Sequence, residues 1–391
     1  MKILIVGAGP AGSIAGRYLA KADMDVTIIE EHGVPGFPVQ CAGLISEKCI
    51  RLTGINIKKV TENIIDGMCV HGPSGRYIEL RSKHNKGYVI ERKLFDQELL
   101  KVAIKKGAKI KVKTRFVDAS NGKARIISSG TEQTDNYDIL LGCDGVQSTV
   151  AKQTGFNHSY KVFSGAQIEG RFECHDRHMV ELFFGSSASP DFFGYAIPIN
   201  EEIARIGVVA GERAHIYLKK MLESHKGIDN RFRGSHLEIN VGGIPIGLME
   251  RLVDPEKRVM LIGDSAGQVK PYTGGGIYYG ALGAKFACEA ITKFRDSGDP
   301  DALINYEQGF IEEVGKELET GMRLLALYSS LTDDDYDTII EILSQESIKN
   351  LISEKGDMDR PSTLVRELPQ LLRNFKYIKL MGKIARHFLI S

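Results

Sequence analysis

Runs of apolar residues along this chain change their period several times, and each change predicts an element. Lys2-Ile-Leu-Ile-Val6 is short, apolar and partly β-branched, the pattern of a buried strand. Gly7-Ala-Gly9-Pro-Ala-Gly12 follows at once, and then Ser13, Ile14, Ala15, Tyr18, Leu19 and Ala20 recur at helical spacing. Val26-Thr-Ile-Ile29 is a second strand that ends in Glu30. Met68–His71 and Arg76–Leu80, around Gly72-Pro-Ser-Gly75, predict a β-hairpin. Tyr88–Ile90 reads as a strand. From Arg92 a helix is expected, with Leu94, Phe95, Leu99, Leu100, Ala103 and Ile104 on its apolar face. Lys109–Val112 and Tyr137–Leu141 are further strands. Between 162 and 241 the pattern alternates in five strands, at 162–172, 179–184, 193–199, 205–209 and 237–241. Val259–Ile262 is one more buried strand, and Ile277, Ala281, Ala284 and Ala287 open a helix. Tyr306, Phe310, Val314, Leu318, Met322 and Leu325 mark a long amphipathic helix, with more helix around 338–352.

The first thirty residues carry the clearest chemistry. Strand, glycine turn, helix, strand and acid form a dinucleotide-binding unit. Gly7 permits the tight turn, Gly9 lets a pyrophosphate approach the backbone, and Gly12 lets the helix sit close to the strand. Free N–H groups at the helix start hold phosphates. Glu30 is placed to accept hydrogen bonds from a ribose. A second acid, Glu31, disfavours a 2′-phosphate there, which points to FAD or NAD rather than NADP.

Composition narrows the class. The 391 residues suffice for two or three packed lobes, and 51 basic against 50 acidic residues give no global sign of nucleic acid. Six cysteines without a C-x-x-C pair fit a reducing compartment, and argue against a zinc site or a disulfide framework. The first strand begins at the second residue, leaving no room for a signal peptide, and no apolar run approaches the ~20 residues of a membrane span. A cytoplasmic protein is expected.

Other stretches stand near the expected ligand. Cys41, in Gln40-Cys-Ala-Gly-Leu44, is either a small buried hydrophobe or a thiol beside a reactive ring. Asp144, in Gly142-Cys-Asp-Gly145, either bonds ligand groups or caps the following helix. The aromatics Phe183, Phe184, Phe192, Phe193 and Tyr195 are core, or in part the wall of an apolar pocket. Gly263-Asp264, then Pro271-Tyr-Thr-Gly-Gly-Gly276 before a helix, makes a second cofactor wall whose helix N-terminus suits the negative charge of a reduced flavin. No second strand–G-x-G-x-x-G–helix unit follows, so one tightly held dinucleotide is implied. The segment 370–391 has no acid; Leu371, Phe375, Ile378, Met381, Ile384 and Phe388 form a stripe beside Arg373, Lys376, Lys379, Lys383 and Arg386. It is a docked terminal helix, or one that meets an anionic membrane surface.

With these residues in place, the chain resembles the geranylgeranyl reductase family of flavoproteins. That family belongs with the aromatic-ring hydroxylases of the p-hydroxybenzoate hydroxylase fold, and the likeness is greatest to the archaeal digeranylgeranylglycerophospholipid reductases. Gly7–Gly12 with Glu30, Pro38-Val-Gln-Cys41-Ala-Gly43, Arg92 with Phe95-Asp96 and Leu99, Asp144-Gly145, and Gly263-Asp264 with Pro271–Ile277 carry it. The resemblance implies an α/β fold: a Rossmann-like FAD-binding domain from 1–65, 85–160 and 250–300, an inserted, mostly antiparallel β-sheet substrate domain from 66–84 and 161–249, and a helical region from 301–391. It implies FAD contacts from Ala11, Cys41, Ala42, Gly43, Arg92, Asp264, Gly276 and Ile277, with the backbone of Phe116 toward the adenine. The substrate pocket would use Phe193, Tyr195, Ile197, Pro198 and Tyr272. Where the family often shows Tyr-x-Trp-x-Phe-Pro, this chain reads Phe193-Gly-Tyr195-Ala-Ile197-Pro198 and has no tryptophan, so its cavity should differ in shape.

The activity so implied is FAD-dependent saturation of C=C bonds in geranylgeranyl chains of archaeal diether lipid precursors, by hydride transfer from flavin N5. Cys41, a tyrosine such as Tyr195, or an ordered water is the candidate proton donor. An isoprenoid lipid, an electron donor such as ferredoxin or a reduced nicotinamide, and peripheral contact with the inner membrane face are the expected partners. A flavin-dependent aromatic hydroxylase or monooxygenase on the same fold is the rival, and an electron-relay flavoprotein docking to a redox carrier is the second.

Overall fold

A computed structural model describes residues 1–39, 41–83, 87–157, 159–367 and 378–388. Two large sheets organise it. The first has six strands in the order 253–254, 259–261, 139–142, 2–6, 25–29, 109–111. Its inner pairings are parallel, Ile3 facing Ile139 on one side and Val26 on the other; only the short edge strand Val253–Asp254 runs antiparallel. Ile3, Ile5, Val26, Ile28 and Leu140 are fully or almost fully buried, as expected of a parallel sheet covered on both faces. The helices Pro10–Lys21, Arg92–Lys105 and Ile277–Ser297 pack in contact around it.

The second sheet has seven strands in the order 232–246, 161–172, 203–210, 194–198, 179–183, 67–71, 77–81. All its pairings are antiparallel except Met179–Phe183 beside Gly67–His71. A helix, Ala214–Ser224, covers one face through Leu218 and Met221. Two three-stranded sheets, 44–46 with 87–90 and 61–65, and 114–120 with 123–128 and 131–136, complete the β structure. The fold is the expected Rossmann-like α/β unit joined to a mostly antiparallel sheet and helices after residue 300.

The long helix is Asn305–Ser330, and Tyr306, Phe310, Val314, Leu318 and Leu325 are buried along it. Met322, read as part of that stripe, is 43% exposed. Leu94 and Ile104 are likewise on the solvent side of Arg92–Lys105, while Phe95, Leu99, Leu100 and Ala103 face the core. Helices Asp333–Leu343 and Glu346–Lys355 follow. In the last described helix, Ile378–Phe388, Leu380 and Ile384 are buried against Leu327, Ile342 and Ile348. This part of the terminal stripe docks on the protein. Leu371, Arg373, Phe375 and Lys376 lie outside the described residues, as do the side chains of Ile378, Lys379 and Met381. Among the described residues no helix is long and apolar enough to cross a membrane.

Candidate functional site: a flavin cleft continuous with an apolar cavity

Parallel strands present their carboxyl ends to one edge of a sheet, and ligands bind there where the strand order reverses. Here four neighbouring strands end in Gly7–Gly9, Glu30, Asp144 and Asp264. Gly7 has φ +101°, and a side chain on it would run into the carbonyl of Cys143; one on Gly12 would run into the carbonyl of Gly7. Those two glycines therefore serve backbone packing. Gly9 differs: nothing lies within 4 Å of where its Cβ would be. It is the N-cap of helix Pro10–Lys21, whose first turn holds no acid. That open cradle at a helix N-terminus fits a pyrophosphate. Glu30 accepts hydrogen bonds from the N–H of Ala8 and of His32, both at 2.9 Å, which fixes its carboxylate at the strand end with lone pairs to spare.

Asp144 accepts from Ser148 Oγ (2.6 Å) and Val150 N (3.0 Å), so its carboxylate spans the start of helix Thr149–Thr154 while Gly145 beside it lines the cleft. Cys41 is half-buried on the wall of the same cleft; its Sγ accepts from Gly43 N at 3.4 Å and faces the Arg92 guanidinium. Arg92 is bonded to Asp96 at 3.1 Å. Burial works against the charge of Arg92, but the Asp96 carboxylate and Cys41 outweigh it and hold the guanidinium protonated. Asp264 sits where the next strand ends, and burial raises its pKa. Its Oδ1 lies 2.7 Å from the position a Cβ on Gly276 would take, so a side chain at that helix start would have to displace the carboxylate.

These residues share one cavity of ≈ 1410 Å³. Gly9, Ala11, Glu30, Cys41, Ala42, Gly43, Arg92, Asp264, Gly276 and Ile277 line it, together with Phe193, Tyr195, Ile197 and Tyr272. Gly7 and Gly12 stand behind the wall. Two more of the expected residues are not among those that line the cavity. Pro198 is not on the wall: side chains alternate along strand Gly194–Pro198, so Tyr195 and Ile197 share a face that Pro198 does not. Phe116 does not line it either: its side chain is 2% exposed in the core, and the contact expected of it is through its backbone, on a strand paired at Ile126. Tyr195 donates its hydroxyl to Gln167 Oε1 at 2.9 Å, and burial pushes its pKa up, so the phenol keeps its proton. Its ring lies over Gly207, where any side chain would collide with it.

Pattern reading missed Arg205. It is 6% exposed and donates to the carbonyls of Ala42 (3.1 Å) and Ile90 (2.9 Å), to Glu62 (2.6 Å) and to Glu169 (3.3 Å). It thereby ties the Cys41–Gly43 loop to the seven-stranded sheet. Gly43, at φ +74°, admits it: a Cβ there would lie 2.7 Å from Arg205 and 2.6 Å from the Ile90 carbonyl. A charge inside the apolar run Ile203–Ala210 was the available signal. Lys270 and Asp359, a buried ion pair at 2.8 Å, were also missed.

Away from the flavin cleft the cavity turns apolar. Leu182 and Val209 line it from the sheet, and Leu327, Ile342, Ile348 and Ile384 from the helices.

Comparison with known proteins agrees with this geometry. The FAD binding domain family matches residues 1–185. An uncharacterized protein of Methanocaldococcus jannaschii is 31% identical over 93% of each chain. The digeranylgeranylglycerophospholipid reductase of the same organism is 30% identical over 96% of this chain and 97% of its own. The crystal structure of a geranylgeranyl bacteriochlorophyll reductase-like protein from Thermoplasma acidophilum superposes with a TM-score of 0.81 at 25% identity, covering 95% of this chain and 99% of that one.

Proposed function

The chain belongs to the digeranylgeranylglycerophospholipid reductase family of FAD-dependent oxidoreductases, and from that premise we propose that it saturates isolated C=C bonds of geranylgeranyl chains in archaeal diether lipid precursors. One observation carries this reading: the dinucleotide cleft and the aliphatic chamber are a single cavity. Pockets for one ligand run to about 300–1,000 Å³, and ≈ 1410 Å³ leaves room for a long apolar chain beside a dinucleotide.

When bound and reduced, FAD supplies the hydride that one alkene carbon receives. The chain does the rest. Gly9 and the first amides of helix Pro10–Lys21 hold the pyrophosphate, and Glu30 takes the ribose. Arg92, Cys41, Asp264 and Gly276 bound the space for the ring system. The aliphatic wall excludes water and presses the double bond toward that space, which lowers the entropic part of the barrier. Cys41 Sγ and Tyr195 Oη are the atoms we assign to deliver the proton to the second carbon. Two electrons enter from a reduced nicotinamide or a small redox carrier.

The test is to reduce the FAD-loaded protein chemically under nitrogen, add a geranylgeranyl diether phospholipid, and weigh the lipid. Masses rising by pairs of hydrogens are expected. Ile384→Arg, which puts a charge in the apolar chamber, should bind FAD normally and lose at least tenfold of that gain. Unchanged lipid, with oxygen-dependent NADPH oxidation on a small aromatic, would instead make the protein a hydroxylase.

A further inference from the structure

The loop 270–276 leads into helix Ile277–Ser297, with Gly276 as its N-cap and no acid in its first turn. The positive end of a long helix thus meets the cavity. Lys270 adds a full charge to it. Its side chain is 7% exposed and lines the same cavity as Cys41, Arg92 and Asp264. Its Nζ donates to Asp359 Oδ1 at 2.8 Å and to the Met358 carbonyl at 3.2 Å, and Tyr272 of the same loop donates to that carbonyl at 2.9 Å. The stem is held against the glycines: a Cβ on Gly275 would lie 3.1 Å from its Cε.

The pair is oriented. Lys270 is on the cavity wall; Asp359, 1% exposed, stands behind it. The lysine, and not its partner aspartate, is thus the residue of the pair that borders the cavity. Asp359 Oδ2 has no hydrogen-bond partner, so this carboxylate is buried with less satisfaction than a purely structural ion pair would want. Buried ion pairs contribute little net stability over apolar residues of the same volume. The charge has a better use in the cavity. A flavin that takes up two electrons and one proton gains one negative charge, and a fixed cation nearby favours that state. The other little-exposed charges on this wall are Arg92, already matched by Asp96, and the acids Glu30, Asp144, Asp264 and Asp357, so Lys270 is set against a mostly acidic lining.

We propose that Lys270, held by Asp359, is an electrostatic positioning residue that favours the reduced state of the bound flavin and so keeps the site charged with electrons for a slow acceptor. The inference rests on the FAD-dependent reductase reading above.

The test is the reduction potential of bound FAD, by equilibration with a reference dye under nitrogen, in the wild type, Lys270→Met, Lys270→Arg and Asp359→Asn. At a fixed poise, Lys270→Met should lower the ratio of reduced to oxidised flavin about tenfold, which is about 30 mV for a two-electron couple. Asp359→Asn keeps an acceptor for Lys270 but removes the opposing charge, and should raise the ratio. Lys270→Arg should stay near the wild type. Shifts of Lys270→Met and Asp359→Asn in the same direction would mean a loosened loop and overturn the proposal, as would no shift in either. A wild-type protein that holds no FAD, or holds it and leaves prenyl lipids unchanged, would sink the functional reading instead, and that outcome is separate from a potential that does not move.

Discussion

Two glycines two positions apart show how a single residue can be read. Gly7 needs its left-handed backbone and has a carbonyl where a methyl would go; Gly9 has open cavity. Gly7→Ala should therefore cost fold stability, of order 2 kcal/mol or more, whether or not ligand is present. Gly9→Ala should leave the melting temperature of the FAD-free protein within a degree or two of wild type, yet weaken FAD binding at least tenfold. Flavin fluorescence titration with calorimetry separates the two. Residues of this sort were legible in the chain because their motif is local: turn, cap and strand-end acid follow one another in sequence. Arg205 was not, since its partners Glu169 and Ala42 lie 36 and 163 residues away. Asp359 gave no signal at all: it lies in a polar turn, and only the fold carries it to Lys270.

Among elements, the pattern of buried positions found the strands of both large sheets except the two-residue Val253–Asp254, and missed most strands of the two small sheets. Strand Thr131–Asn136 is Thr-Glu-Gln-Thr-Asp-Asn, exposed at nearly every position, and is held by its ladder to Lys123–Ser128 and by Lys111, which donates to Asp135 at 2.6 Å. Helix Ala214–Ser224 starts after Arg213 in a left-handed backbone, with no side-chain cap to announce it. That helix ends at His225, which joins the second sheet through a buried polar knot. His225 Nδ1 accepts from Gly227 N at 3.1 Å, leaving Nε2–H to donate to the Phe184 carbonyl at 3.1 Å. Burial, only partly offset by that carbonyl, lowers the pKa of His225 to about 4. The unfolded chain takes the proton near 6.5, so the contribution of neutral His225 is complete above that pH and is lost as pH falls toward 4. Nearby Glu181 has its pKa lowered to about 2: burial opposes its charge, but His71 and Arg231 outweigh that. Its contribution is present above about 4.5 and lost below, in a separate and more acid window. Urea midpoints should thus drop between pH 7 and pH 5, with His225 supplying about 2 kcal/mol of the loss. In His225→Gln that drop should shrink by a comparable amount.

At the scale of the whole molecule, the helices after residue 300 close the cavity. The apolar side chains that pack them together, Leu327, Ile342, Ile348 and Ile384 among them, also line the cavity that begins at Gly9. Sequence periodicity announced these helices but not the chamber, because a stripe facing a lipid chain and a stripe facing a neighbouring helix look alike. Family membership and fold agree on a flavoenzyme; the joined cavity is the observation that supports the proposed prenyl acceptor. The most direct measurement is a single turnover: reduce the bound FAD, remove the reductant, and follow the flavin absorbance near 450 nm under nitrogen as lipid is added. We predict that unsaturated geranylgeranyl diether lipid restores the oxidised spectrum, one flavin for each double bond lost, and that the fully saturated diether does not. A flavin that stays reduced with both lipids and reoxidises only when air is admitted would contradict the account.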